Sequence, residues 1–375
     1  MGNPEGVWSI LDTDLYKLTM QCAVHKYFPD THVTYHFTNR TSDMKFTREA
    51  YDWLAKQIDR LANIKLTDDE LAYLHKSCGY LNHESYLDFL KSFRFRPSEH
   101  VKVEFKPSTD NRDKGDIDIN TAGLWQDTIL YEIPLLALVS EAYFKFCDRD
   151  WNYDGQEQNA FEKGAALIRN GCVFSEFGSR RRRDYHTQDL VMQGLTRANK
   201  EIKDGDGKMS GSSNVHFSMK FGVSPVGTVA HEWFMGIAAS SGDYKTATAK
   251  ALEYWVMCFG RGTLGIALTD TFGTPVFLKS FAERLPSSMT GLTEGWVVRK
   301  PTFADIFAGT RQDSGDPKKF IKLMRNFYRE HGTEGKKTMV FSDSLDVDKC
   351  ILYKKLAETR DFAPTFGIGT FLTSE

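Results

Sequence analysis

From Leu130 onward the sequence settles into one rhythm, and that rhythm constrains the fold more than any other feature. Helical patterns at about 131–147, 157–170 and 184–201 alternate with short apolar runs, each ending in a polar cluster. The run ends read Val173-Phe-Ser-Glu-Phe-Gly178, Val226-Gly-Thr-Val-Ala-His231, Gly265-Ile-Ala-Leu-Thr-Asp270, Asp305-Ile-Phe-Ala-Gly-Thr-Arg-Gln-Asp313, Met339-Val-Phe-Ser-Asp343 and Thr365-Phe-Gly-Ile-Gly-Thr370. Strand followed by helix, repeated, is the pattern of parallel strands, because a tight turn cannot join a parallel pair and a crossover helix can. Barrels of this kind collect their chemistry where the strands end C-terminally. The polar residues gathered at those ends therefore predict an irregular, TIM-like α/β barrel with a site at its mouth.

The first third reads differently. Leu15, Leu18 and Cys22 fall at helical spacing behind a candidate Asp14 cap, and His32–Thr38 alternates as a half-buried strand does. Segments 47–64, 67–76 and 83–92 read as helices, with Thr47 as a cap and Thr67 with Glu70 as a capping box. Val101–Phe105 and Ile117–Asn120 read as strands around a polar loop. The expectation is an N-terminal α+β domain over 1–125 and a barrel domain over 126–375, with residues 282–304, rich in Pro, Ser and Gly, as a long loop or lid.

Bulk properties narrow the partners. A net charge of -2 over 375 residues gives no global attraction to nucleic acid or anionic membranes, and the Arg180–Arg183 run is short and isolated. No apolar run reaches the ~18 residues of a membrane span, and the N-terminus lacks a basic-then-apolar signal. The expected location is the cytoplasm, with the nucleus open. The six cysteines show no C-x-x-C pair and read as reduced thiols.

Each polar cluster has a chemical reading and a plain one. In Arg311-Gln-Asp-Ser-Gly-Asp316-Pro, the arginine suits a planar carboxylate and the acids suit ribose or metal-bound phosphate, while Asp316 before Pro317 also fits a helix cap. Ser342-Asp-Ser-Leu-Asp346 suits ribose or magnesium pyrophosphate, or a capped helix start. Phe366-Gly-Ile-Gly-Thr370 is a phosphate cradle or a turn. His231, followed by Glu232, is a nucleophile able to accept a phosphoryl group, or a structural histidine. Glu176-Phe-Gly-Ser-Arg180 sets an aromatic ring and an arginine on a ligand, or begins a solvated helix face. Leu11-Asp-Thr-Asp-Leu-Tyr16 reads as an amphipathic helix start.

Together, Asp14-Leu-Tyr-Lys-Leu-Thr-Met20, Ser175-Glu-Phe-Gly-Ser-Arg-Arg-Arg182, Gly227-Thr-Val-Ala-His-Glu-Trp233, Leu268-Thr-Asp-Thr-Phe-Gly273, Arg311 to Pro317, Phe341-Ser-Asp-Ser-Leu345 and Phe366 to Thr370 resemble the nicotinate phosphoribosyltransferase family in its fungal-type form, collinearly from about residue 10 to 371. The resemblance implies a head-to-tail homodimer that makes nicotinate mononucleotide and pyrophosphate from nicotinate and phosphoribosyl pyrophosphate. ATP hydrolysis is coupled to this, Mg²⁺ assists, and the product enters NAD salvage. By the same resemblance His231 is the phosphorylated residue, and Asp313 and Arg311 join it as catalytic groups. Phe177 stacks on the pyridine, and Tyr16 from a partner subunit covers its other face. Thr228 and Arg311 lie at nicotinate and ribose, and Arg180 lies near the carboxylate or phosphate. Asp270, Asp313 and Asp343 serve ribose and Mg²⁺, Ser314 and Gly315 belong to the substrate-binding turn, and Gly367, Gly369 and Thr370 hold the 5′-phosphate. Ser213 takes a position where related nicotinamide enzymes carry an aspartate, which favours the acid over the amide. Members of the family continue several tens of residues past the Gly-x-Gly-Thr loop, whereas this sequence stops at Glu375, so most of the helix beside the phosphate and the tail completing the N-terminal domain are expected to be missing from it. The rival readings are a nicotinamide or quinolinate transferase, another phosphate-binding barrel enzyme, and a regulatory paralogue that pairs with an intact partner.

Overall fold

The computed structural model describes residues 5–83, 85–286, 289 and 301–374. Its main sheet has seven parallel strands: β5 (Val173–Glu176), β6 (Lys208–Ser212), β7 (Ser224–Pro225), β8 (Ile266–Leu268), β9 (Gly309–Gln312), β10 (Lys337–Phe341) and β11 (Phe362–Ile368). The order across the sheet is β7-β6-β5-β11-β10-β9-β8. Strand interiors supply the core: Phe174, Leu268, Met339, Phe341, Phe366 and Ile368 are buried. A register shift between Phe174 and Ser175 in the pairing with β6 lies just before the Glu176–Phe177 turn, where bulges re-aim side chains toward a site.

This sheet is a curled half-barrel, a coarser match to the irregular TIM-like barrel expected, with no ring closure in its pairing among the described residues. Among the described residues β7 and β8 are its two edges and do not pair. The physical reason lies in β7. Pro225 has no N–H to give a ladder, and Val226–Ala230, which reads in the sequence as a short apolar strand run, continues as irregular loop. Side chains span the gap that backbone pairing leaves: Arg311 Nη1 at the end of β9 donates to Thr228 Oγ1 beyond β7 at 3.0 Å.

A second sheet precedes it. In it β4 (Lys114–Leu124) pairs antiparallel with β1 (His32–His36), β2 (Phe46–Thr47) and β3 (Val101–Pro107). The expected helices are present as Arg48–Arg60, Asp68–Ser77 and Tyr86–Ser92. Thr47 caps the first through Ala50 N–H at 3.1 Å, and Thr67 and Glu70 form the capping box of the second. Asp14 stands at the cap position of the Leu15–Tyr27 helix but makes no side-chain cap bond, because its carboxylate is used elsewhere. The segment leading into this helix is bound to the main sheet, with Leu15 N–H to Ser213 O at 2.7 Å and Val215 N–H to Thr13 O at 3.0 Å. The N-terminal residues are thus threaded against the mouth of the second unit.

The two stems of the expected 282–304 lid pair with each other, Leu285 N–H to Pro301 O at 2.9 Å and Phe303 N–H to Glu283 O at 3.2 Å. The span between them, 287–288 and 290–300, lies outside the described residues. No helix among the described residues is long and apolar enough to cross a membrane.

Candidate active site

His231 opens the His231–Ser241 helix at the exit of β7 and is 40% exposed. Its Nε2 lies 3.1 Å from Asp313 Oδ2, and its Nδ1 lies 3.0 Å from Thr271 Oγ1. An ionised carboxylate only accepts, so the network assigns the ring proton to Nε2 and leaves the Nδ1 lone pair facing the threonine hydroxyl. Asp313 also accepts from Ser342 Oγ at 2.7 Å and from Arg311 Nη2. Burial would push this carboxyl up, but the His231 hydrogen bond, the Arg311 charge and Ser342 outweigh it and hold it well below the usual range. Arg311 is spent within the cluster, its Nε donating to Ser342 Oγ at 2.8 Å and its Nη1 reaching Thr228. Four strand ends thereby converge on one histidine, two of them belonging to the open edges of the sheet.

A second group forms where the N-terminal segment meets β5 and β6. Asp14 Oδ1 accepts from Ser213 Oγ and Ser179 Oγ, each at 2.7 Å. Burial raises this carboxyl despite those bonds. Beneath it the fully buried Arg182 grips Asp12 with both nitrogens, at 2.8 and 2.7 Å. The Tyr16 backbone lies against the mouth of its own chain: a Cβ added to Gly227 would lie 3.3 Å from Tyr16 N. Burial, and after it the Glu132 charge, pushes the Tyr16 phenol well above its ordinary value, so it stays neutral. Arg180, 43% exposed, stands beside it and donates to Glu132 Oε1 at 3.3 Å.

The third group is the β5–β11 seam. Phe177 N–H donates to Ile368 O at 2.7 Å, and a Cβ on Gly367 would fall 2.4 Å from the Phe177 ring. Gly367 is therefore bare because the aromatic ring lies on it, a use the phosphate-cradle reading did not contain. Glu176, wholly buried, fixes this turn by accepting from Gly178 N–H and from Ser212 Oγ at 2.6 Å. Gly369 leads into the short Thr370–Thr373 helix, and Thr370 Oγ1 faces Arg181 Nη1 at 3.4 Å.

Ser314 donates to Asp270 Oδ2, and Gly315 (φ 80°) makes the left-handed turn that follows. The other Asp270 oxygen, Oδ1, is buried with no hydrogen-bond partner and lies 3.9 Å from His231 Nε2. Asp343 is exposed and, among the described residues, accepts a hydrogen bond only from its neighbour Ser344, at 2.9 Å. Both Asp313 oxygens already hold donors, whereas Asp270 keeps one oxygen without a partner and Asp343 engages only Oδ1. Asp316 and Asp346 act as helix caps, accepting from Lys318 N–H and Lys349 N–H.

Thr271, Lys17, Glu132 and Glu232 also belong to the site, and local pattern did not mark the first three. Glu232 accepts from Trp125 Nε1 at 2.8 Å, from Tyr35 and from Lys17. All six cysteines are free, five of them buried. Among the described residues one group of three metal-type donors approaches within 4.8 Å: Cys22, His83 and Cys258. Lys26, felt by both Cys22 and His83, sets a cation beside it, and Cys22 and Cys258 hydrogen-bond each other, so the group packs as a thiol pair.

The chain is similar to known proteins along nearly its whole length. The model of the nicotinate phosphoribosyltransferase N-terminal domain matches residues 11–140, and that of the family itself matches 172–375. A Schizosaccharomyces pombe relative is 46% identical over 98% of this chain and 85% of its own. The Saccharomyces cerevisiae nicotinate phosphoribosyltransferase is 42% identical over 98% of this chain and 82% of its own. A crystal structure of nicotinate phosphoribosyltransferase from Porphyromonas gingivalis matches with TM-score 0.85 at 34% identity, covering 98% of this chain and 86% of that one. Polar strand ends, the histidine–aspartate pair and these matches lead to one conclusion: the chain belongs to the nicotinate phosphoribosyltransferase family.

Proposed function

We propose that this chain transfers the phosphoribosyl group of phosphoribosyl pyrophosphate to nicotinate, giving nicotinate mononucleotide and pyrophosphate for NAD salvage, and couples the step to ATP hydrolysis through a phosphohistidine at His231. The observation that carries the reading is the tautomer lock: with Nε2 committed to Asp313, His231 presents an unprotonated Nδ1 at the sheet mouth. Attack of Nδ1 on the γ-phosphorus of ATP releases ADP and leaves the phosphoryl group on the ring. Its later hydrolysis spends ATP energy on tighter substrate binding. The mouth works as an incomplete barrel, with His231 and Arg311 bridging its open side.

In the transfer step the pyridine nitrogen, unprotonated at neutral pH, attacks C1 of the ribose as pyrophosphate leaves. No general base is needed, and catalysis rests on position and charge. Phe177 supplies one aromatic face for the pyridine, Tyr16, which stands beside Arg180 at the same mouth, supplies the other, and Arg180 takes the carboxylate. Asp270, with its unpartnered oxygen, takes a ribose hydroxyl or joins Asp343 in holding Mg²⁺, whose charge would offset that of pyrophosphate. Gly369, Thr370 and Arg181 face the 5′-phosphate. We propose a cytoplasmic homodimer, read by sedimentation of the purified chain.

Purified protein with phosphoribosyl pyrophosphate, ATP and Mg²⁺ should convert nicotinate in preference to nicotinamide or quinolinate. ATP alone should deposit acid-labile phosphate that His231→Ala abolishes. Preference for another pyridine sinks the substrate assignment, and equal labelling of the alanine variant sinks the histidine.

A further inference from the structure

The strongest charge arrangement at the mouth lies beneath its surface. The Lys17 side chain is 0% exposed, and its ammonium is held between Glu132 Oε2 and Glu232 Oε2. A buried ammonium persists only when carboxylates compensate its lost hydration, and two do so here. Glu232 is itself fixed: it sits in the first turn of the His231–Ser241 helix, where the helix dipole favours an anion, and its other oxygen accepts from Trp125 and Tyr35. Glu132 also stands in the first turn of a helix, Glu132–Phe146, but lacks such a pair of neutral donors. Its second oxygen, Oε1, meets only Arg180 Nη1, at 3.3 Å, and its side chain is 29% exposed.

Glu132 is therefore contested by two cations, and Lys17 holds the closer contact. The consequence falls on Arg180. A carboxylate next to a guanidinium closes a bidentate pair when nothing else competes for it. With Lys17 drawing one oxygen away, Glu132 gives Arg180 a single long contact and leaves the rest of the fork, 43% exposed, open to the mouth beside Tyr16.

We propose that Lys17 is a positioning residue that restrains Glu132 and so keeps the Arg180 guanidinium free to clamp the carboxylate of the planar acid substrate. The inference rests on the reading of Arg180 as the carboxylate-binding group. Lys17 touches no substrate; it acts through Glu132, and Glu232 is its anchor.

The test compares an acid with a neutral pyridine. In Lys17→Met the freed Glu132 captures Arg180, so the KM for nicotinate rises about 10- to 150-fold, the worth of one charge-assisted hydrogen bond. Inhibition by nicotinamide, which has no carboxylate, changes less than about threefold. Adding Glu132→Gln to Lys17→Met removes the competing carboxylate and returns the nicotinate KM toward wild type. If Lys17→Met weakens acid and amide alike, or neither, Lys17 is merely structural and the proposal fails. Should Lys17→Met not fold, Glu132→Gln alone decides, since Lys17 then keeps Glu232: a lower nicotinate KM supports the proposal, and a rise of about tenfold overturns it. Arg180→Gln separates the two layers. If it leaves nicotinate binding intact, the Arg180 reading is wrong; if it abolishes binding while Lys17→Met does nothing, only the Lys17 inference is wrong.

Discussion

Replacing Asp313 by asparagine tests the tautomer lock with almost no change of shape. The single amide oxygen of the new side chain can serve only one side. Arg311 Nη2 and Ser342 Oγ both donate to Asp313 Oδ1, whereas His231 Nε2 alone donates to Oδ2. Two donors outweigh one, so the amide oxygen turns to Arg311 and Ser342, and the NH₂ group faces His231. An NH₂ donates, so Nε2 must now accept, and the ring proton moves to Nδ1, where it blocks the lone pair that attacks ATP. Recovering the reactive tautomer means giving up one hydrogen bond of the charged kind, about 1.5–3 kcal/mol, or roughly a 10- to 150-fold slower phosphorylation. Because the Asp313 carboxyl is held well below the ordinary range, it stays ionised and remains an acceptor for Nε2 at neutral and mildly acid pH. Single-turnover incubation with ATP and Mg²⁺ gives the rate of acid-labile phosphate uptake, and phosphorus NMR of the denatured product gives the ring position. Phosphate on Nε2 of the wild-type protein, or Asp313→Asn labelling at the wild-type rate, refutes the argument.

Three further perturbations follow from the same geometry. Glu141 accepts from Gly6 N–H at 2.9 Å through one oxygen and buries the other without a partner, and burial raises its pKa from 4.5 to about 7. Its folded value lies above its unfolded one, so the stability it contributes is full below about pH 4.5 and is lost as pH rises to about 7, on the order of 3 kcal/mol. Thermal melts of Glu141→Gln should flatten that slope, and an unchanged slope assigns it to another group. Gly367→Ala drives a methyl into the Phe177 ring and should raise the nicotinate KM while lowering stability by about 1–3 kcal/mol; unaltered binding would remove Phe177 from the pyridine site. Ser213→Asp sets a second carboxylate against Asp14 and should weaken nicotinate by about tenfold or more relative to nicotinamide, and equal effects on both pyridines would end the acid-selectivity argument.

What the sequence discloses and what it hides divide along a physical line. Parallel strands, crossover helices, the Thr47 and Thr67 caps and the polar strand ends were legible because each is written within a few neighbouring residues. The open edge at β7 was not. The apolar run Val226–Ala230 mimics a strand, and the missing Pro225 donor and the lack of a partner strand among the described residues decide against one. Asp14 carries every local mark of a helix cap, yet its carboxylate goes to Ser179 and Ser213, because the chain returns there from residues far along the sequence. Lys17 is the clearest instance. A lysine at that spacing on an amphipathic helix reads as a solvated charge, and nothing nearby indicates that Glu132 and Glu232 will enclose it. Buried charge is set by partners distant in sequence, so it escapes any reading by period or cap. The strand ends show where the chemistry takes place, and they were readable. The charges that orient those ends had to be found in three dimensions, and in this chain they converge on the N-terminal segment whose own pattern said least.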